Sequence, residues 1–568
     1  SQTPQRKHPI DLLFIKWDSL NAIAYSINPT ALKAVSEYRT FVHRLIDNYG
    51  YPSLIKILKD VHSVTKHVLL TGKVTRDKFG GVWFKTRSNG LPRCLVELNK
   101  LINGKSLIEK RFAVTLTSVV DLLVTSPSLD ISSIEEPSKA NKLVLDELSN
   151  ALKQEAKKID WKISVRKEKR YHLSFKGGPS GSPNFMTCHR ELWDLLYGRF
   201  KEVFLTSAAS FGRMDLVGKA FDTFNGLESH KGRVHIASRL VLLAEKAGKT
   251  RPICAPSWWF QEILIELHNS LYDLLDTFPN DGTSSHDRAA QIVKKWTGEG
   301  RDLWSYDLKS ATDRFPVELQ ASVIAGLFSE DLSRSWLEIM NLPVMSKYHE
   351  REVRYGAGQP MGYYSSWATF AVTHHLLLQY ICKRHNIVWS DAYVIIGDDI
   401  VIASELVAND YVVLIKALGV EISMRKSVEK RKAAEIAKRL FRDGIEYTPI
   451  SITLLKSFSE EQKDVVFLQL IQEMQRKWGL GVHKDSVSTY LHSPASYLYE
   501  ALNKKHKQTI ARFLTSPIYG VAKEPLNDSQ ILSLYQKKDK LLRLEDPWLG
   551  VNDLKLQTCD YNMLAEEL

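Results

Sequence analysis

The sequence runs to 568 residues, 44% hydrophobic and 25% charged, a composition that excludes a disordered or fibrous chain. That length is too great for one core, so about three or four domain-sized pieces are expected. A net charge of +12 favours a polyanionic partner, and residues 151–255, with 20 Lys and Arg against 10 Asp and Glu, hold most of the excess. Five cysteines (Cys94, Cys188, Cys254, Cys382, Cys559) include no CxxC pair, so neither a disulfide framework nor a zinc site is expected and a reducing compartment fits. No apolar run reaches the ~18 residues of a membrane span. The best, residues 112–124, is short and broken by Asp121. No signal or transit peptide is expected in the first residues, which carry Arg6, Lys7 and His8.

In chain order, residues 1–160 read as mostly helical, with apolar periodicity over 32–58 and 141–152 and a Ser-, Pro- and acid-rich loop at 125–139. The basic segment follows, including Arg166-Lys167-Glu168-Lys169-Arg170, a pattern equally suited to a solvated face. It leads into Lys176-Gly177-Gly178-Pro179-Ser180-Gly181-Ser182-Pro183. A Gly/Ser loop exposes backbone N–H groups that can approach phosphates, or is simply a flexible turn. Lys246, Lys249 and Arg251 then fall within six residues around Gly248. In an extended strand Lys249 and Arg251 point the same way and could grip one triphosphate. The GxxxxGK[ST] spacing of a Walker loop is absent. Residues 261–275 read as a helix, closed by an Asp281-Gly282-Thr283 turn.

Two acidic elements come next. Leu303-Trp304-Ser305-Tyr306-Asp307 predicts a strand ending in Asp307, and Pro316 opens a helix just past Asp313. The alternative is a strand-end acid and a helix cap. Residues 358–367, Gly-Gln-Pro-Met-Gly-Tyr-Tyr-Ser-Ser-Trp, form a Gly-punctuated loop before a long apolar helix. His374 and His375 on that helix lack a second pair at ligand spacing and read as satisfied histidines rather than metal ligands. The apolar, β-branched runs 393–396 and 400–402 flank Gly397-Asp398-Asp399, predicting a hairpin with carboxylates in its turn. Hard divalent cations take such oxygens, although Gly and Asp are also ordinary turn residues. Beyond it a helix over 411–418, a cationic turn at Met424-Arg425-Lys426-Ser427, a basic helix over 429–442 and a helical remainder to 568 are expected.

Acids at adjacent strand ends, cations for a triphosphate, a basic channel and a Gly-rich loop are the parts that two-metal nucleotidyl transfer requires. Their sequence resembles motifs F, A, B, C and D of viral RNA-dependent RNA polymerases, here 246–251, 307–313, 358–367, 397–399 and Lys426. The strings Asp-Leu-Lys-Ser-Ala-Thr-Asp-Arg and Gly-Gln-Pro-Met-Gly-x-x-Ser-Ser-Trp-Ala, with the following His-His, are similar to the levi-like branch and most similar to mitoviruses. Lys176-Gly-Gly-Pro, Asp281-Gly-Thr and Thr448-Pro-Ile-Ser add to the likeness, while Glu435-Ile-Ala-Lys-Arg departs slightly from the group's Glu-Phe-Ala-Lys-Arg. The resemblance covers roughly 175–455.

It implies an α/β (α+β) right hand: an N-terminal helical region to 150, fingers over 151–300, a palm of antiparallel sheet plus helices over 301–455, and a helical thumb and tail over 456–568. It implies that Asp307 and Asp398 bind two Mg2+ ions (Mn2+ as a substitute), with Asp399 assisting and Lys426 as general acid. Lys249, Arg251 and Lys246 would hold the triphosphate. Asp313 with Ser366, or secondly Ser365, would read the ribose 2′-OH. Lys176, Ser180, Gly181, Gly358, Gln359 and Gly362 would meet template RNA. The partners are template and product RNA and ribonucleoside triphosphates, and the function is copying a positive-strand viral genome, in the host mitochondrial matrix. The alternatives are a reverse transcriptase, against which Gly397 and Asp313 argue, or a non-catalytic RNA-binding replication protein.

Overall fold

The computed structural model describes residues 17–163, 171–227, 232–424 and 426–457, with Ile10, Val466, Gln469, Leu470, Glu473 and Lys477. The basic run at 166–170 and most of the expected thumb lie outside the described residues. The chain divides into two compact units, one of residues 1–125, 246–248 and 446–568, the other of 126–245 and 249–445.

In the first unit the helix Pro29–Thr71 starts where the Asn28 side chain accepts the Ala31 N–H at 2.8 Å, and it kinks at Gly50, two residues before Pro52. Helices Val96–Asn103 and Leu107–Thr117 pack on it, beside a small hairpin of β1 (Lys78–Phe79) and β2 (Val82–Trp83). No helix among the described residues is long and apolar enough to cross a membrane.

The second unit holds two four-stranded sheets. One joins β3 (Ser238–Ala244), β4 (Thr250–Pro256), β6 (Val344–Ser346) and β7 (Arg351–Val353) in the order β4-β3-β6-β7. The other joins β5 (Leu303–Tyr306), β8 (Tyr393–Ile396), β9 (Asp399–Ile402) and β10 (Val428–Arg431), antiparallel throughout, in the order β10-β5-β9-β8.

The central sheet is apolar without alternation because both of its faces are covered. Trp304, Tyr306, Tyr393, Ile395, Ile400 and Ile402 face the main core. Their neighbours Leu303, Val394, Ile396 and Val401 face a smaller core under the helix His286–Gly298 and the hairpin of β11 (Ala433–Ile436) and β12 (Arg439–Arg442). Period-two geometry sorts each strand between the two. Beneath the main-core face runs the helix Ser366–Arg384, buried continuously from Ala368 to Gln379. Each large apolar side chain so buried contributes at most ~1.5–3 kcal/mol.

The basic helix expected over 429–442 is instead strands β10 to β12. β10 pairs with β5, placing Val428 opposite Ser305, and β11 folds back on β12 through a two-residue turn. That turn, Ala437 and Lys438, has φ of 48° and 63°, the geometry of a primed hairpin turn filled without Gly or Asn. Sheet pairing here overrides helix propensity.

Candidate active site

The predicted hairpin forms: β8 and β9 pair with Ile396 opposite Asp399, leaving only Gly397 and Asp398 in the turn. Gly397 takes φ +59°, and an added Cβ would lie 1.8 Å from the Trp367 ring, so both conformation and space call for glycine. Next door, β5 pairs with β9 through Tyr306 opposite Ile400. One further step along that ladder brings Asp307 beside Asp399. Asp307, Asp398 and Asp399 therefore lie at the same end of the sheet.

Their electrostatics follow from that placement. Burial and the Asp307 charge raise the Asp398 pKa, while Lys249 and Arg251 act in the opposite sense. Burial with the Asp398, Asp307 and Glu435 carboxylates pushes Asp399 up to about 7, eased by the Ala437 N–H that donates to Asp399 Oδ2 at 3.2 Å. Lys426 Nζ reaches Asp307 Oδ2 at 3.2 Å. Glu435 was not singled out as a site residue; it comes near only because β11 lies on β5, its N–H donating to Ser305 Oγ at 3.2 Å.

The donors suit a hard divalent cation, being carboxylate oxygens whose repulsion a cation relieves. Among the described residues no three His, Cys, Asp or Glu side chains stand gathered as a ready-made metal shell.

The cationic loop divides. Lys249 is exposed and Arg251 half-buried, and Arg251 Nε pairs with Glu245 Oε1 at 2.7 Å, so a triphosphate would have to displace that acid. Lys246 belongs to the first unit, where its Nζ donates to Thr453 Oγ1 at 3.3 Å.

Asp313 is buried, its carboxyl pKa raised by that burial, and Ser133 Oγ donates to its Oδ2 at 2.8 Å. Ser133 comes from the loop that carried no expected function. Arg314 pins that loop by donating to the carbonyls of Ser133, Glu136 and Pro137. Nothing in the spacing of the sequence points to a partner 180 residues away.

The glycine-rich loop is locked rather than free. Gly358 N–H donates to Asp313 O at 2.9 Å, and a Cβ there would meet Thr312 O at 2.0 Å. Met361 O accepts from Cys254 N–H on β4 at 2.7 Å. The Gln359 side chain turns inward, bonding Gln320 and the Ser366 carbonyl, so it braces the loop. Ser365 Oγ accepts from Trp336 Nε1 at 3.0 Å, which commits that hydroxyl to the core, and Ser366 beside it is also buried. In the upstream Gly/Ser loop, Lys176 is exposed, but Ser180 Oγ donates to buried Glu191 at 2.7 Å and Gly181 O accepts from Gly178 N–H.

His374 and His375 are fully buried and satisfied, as expected, with Gly397 O, Tyr411, Tyr393 and Asp281 as partners.

A two-face-buried antiparallel sheet with acids at its hairpin turn and at the neighbouring strand's end defines the palm of a right-hand polymerase. The mitovirus RNA-dependent RNA polymerase family model matches residues 164–542, and the chain belongs to that family. It is 34% identical over 210 residues to an RNA-directed RNA polymerase of Cryphonectria parasitica mitovirus 1, covering 36% of this chain and 26% of that one. The chain thus spans about a quarter of that relative's length. An uncharacterized mitochondrial protein of Arabidopsis thaliana is 38% identical over 158 residues, 26% of this chain and 76% of that protein. Among solved structures, an insertion-loop deletion mutant of the RNA-dependent RNA polymerase of a human picorbirnavirus aligns over 90% of this chain and 92% of its own, with TM-score 0.43 and 14% identity.

Proposed function

We propose that this protein is an RNA-directed RNA polymerase that joins ribonucleotides on an RNA template by two-metal-ion transfer, replicating a positive-strand viral genome in the host mitochondrion. The observation that carries the reading is the placement of Asp307, Asp398 and Asp399 at one sheet end within electrostatic reach of one another, with Lys249 and Arg251 close enough to act on Asp398. Divalent ions, Mg2+ with Mn2+ as a substitute, would supply Lewis acidity at the attacking 3′-oxygen and the leaving pyrophosphate.

The chain's own groups do the rest. Asp307 and Asp398 are the principal ligands, and Asp399, turned toward Ala437, assists. Lys249 and Arg251 hold the triphosphate, with Lys246 a further candidate. Lys426 Nζ carries the proton for the leaving pyrophosphate. Asp313 reads the ribose 2′-OH with Ser366, and the locked Gly358–Gly362 loop links that reading to the β4 strand that bears Arg251. Lys176 and the Gly181 loop would lie along template phosphates. Fingers over 151–300, a palm over 301–455 and a thumb over 456–568 are the matching division, with the sheet β10-β5-β9-β8 as the palm floor.

Purified protein given an RNA template, Mg2+ and either NTPs or dNTPs tests the reading. Template-directed incorporation of NTPs in strong preference to dNTPs is expected. Equal or better use of dNTPs would show a reverse transcriptase instead, and RNA binding without incorporation a non-catalytic replication protein.

A further inference from the structure

Gly397 is gripped on both of its peptide groups. Its carbonyl lies 2.8 Å from His374 Nδ1, and its N–H donates to Thr283 Oγ1 at 3.3 Å. A carbonyl only accepts, so Nδ1 carries the proton, and neutral His374 then receives the Tyr411 O–H at Nε2, 2.8 Å away. Burial holds His374 neutral, its pKa lowered to about 4.

On the other side Thr283 gives its hydroxyl proton to Asp281 Oδ1 at 2.7 Å, which leaves an oxygen lone pair for Gly397. Asp281 is itself fully buried. Its Oδ2 accepts the Thr283 N–H at 2.9 Å, and its Oδ1 accepts from His375 Nε2 at 2.9 Å. The 280–283 segment also pairs with β8 as an added edge, through Gly282 N–H to Ile395 O at 2.8 Å.

Only Gly397 and Asp398 separate the two strands, so fixing the Gly397 peptide fixes the backbone from which the Asp398 carboxylate projects. We propose that the adjacent histidines and the Asp281-Gly282-Thr283 turn are positioning residues. They form a hydrogen-bonded clamp, His374 directly and His375 through Asp281 and Thr283, that holds the Gly397-Asp398 turn with its carboxylate toward Asp307 before ions or nucleotide bind. This deepens the polymerase reading and rests on Asp398 being a metal-binding carboxylate. It also gives the His-His pair and the Asp-Gly-Thr turn, which carry no chemistry of their own, a reason to be where they are. Groups that orient a ligand residue matter because small displacements of a ligand lower metal affinity steeply.

The test is Mn2+ affinity of the full chain by electron paramagnetic resonance, with kcat and KM for NTP incorporation measured alongside. His374→Asn keeps an N–H near the Nδ1 position, whereas His374→Gln moves it toward Nε2. Thr283→Ser keeps the hydroxyl, and Thr283→Val keeps the shape without it. His374→Gln and Thr283→Val are expected to weaken Mn2+ binding about tenfold and lower kcat by a similar factor, with NTP KM little changed. His374→Asn and Thr283→Ser should stay within about threefold of the parent. Thr283 is only partly buried, so its pair of variants decides the matter even where the histidine variants do not fold. Parental Mn2+ affinity in Thr283→Val overturns the clamp, as does a loss that tracks melting temperature rather than the presence of the donor. Asp398→Asn separates the two claims: if it binds Mn2+ as the parent does, the metal reading has failed; if it does not while Thr283→Val does, only the clamp has.

Discussion

Asp399 and Gly397 show how much of the site's behaviour is set by single residues. Asp399 holds its proton up to about 7 in the fold, against 3.8 for an ordinary aspartate. The folded state therefore binds that proton more tightly than the unfolded chain, and metal-free stability falls as pH rises from about 4 to about 7. Urea unfolding in EDTA at the two ends of that window should show the fall in the parent and a smaller one in Asp399→Asn. A divalent ion should restore more stability at the alkaline end. Gly397→Ala must place a Cβ into the Trp367 ring at positive φ, and a loss of about 2–5 kcal/mol is expected in the same assay. The residues that the sequence made legible are those whose meaning is local: the paired acids in a turn, a strand-end Asp307, and Asp313 six positions on. Ser133, Glu435 and Thr283 were not, because their partners lie 180, 36 and 114 residues away along the chain.

At the scale of elements, the hairpin, β5 and the buried helix were readable because an apolar run between turn signals has few alternatives. The stretch 429–442 was not. Its charges suit an exposed helix, and the turn that makes it a hairpin uses Ala437 and Lys438 at positive φ, without the Asn-Gly signature. That turn gives a direct check on the strands. Replacing Ala437 by Asn and Lys438 by Gly relieves two left-handed residues, and a gain of about 1 kcal/mol in denaturant unfolding is expected. In a helix the same change would cost stability by a similar amount. The segment over 125–139 was readable as a loop apart from a short helical turn at Ser132–Glu135, but its attachment was not: Arg314 binds three of its carbonyls and Ser133 binds Asp313. Arg314→Ala should release the three carbonyls it holds on that loop, and faster amide hydrogen exchange across 130–137 is the expected sign.

For the whole molecule, the excess of cations over 151–255 and the net charge of +12 would make the RNA affinity of the proposed polymerase an electrostatic property. Affinity for single-stranded RNA should fall by orders of magnitude between about 50 and about 200 mM salt, as counterion release requires. A flat response would contradict a phosphate-tracking surface. The proposed two-metal transfer requires that Asp398 serve chemistry rather than RNA binding or folding. Single-nucleotide incorporation on a primed RNA template by Asp398→Asn, beside RNA affinity of the same protein, tests it most directly. Loss of incorporation with RNA affinity within a few-fold of the parent is the expected result. Extension of the primer by the Asp398→Asn protein would contradict it.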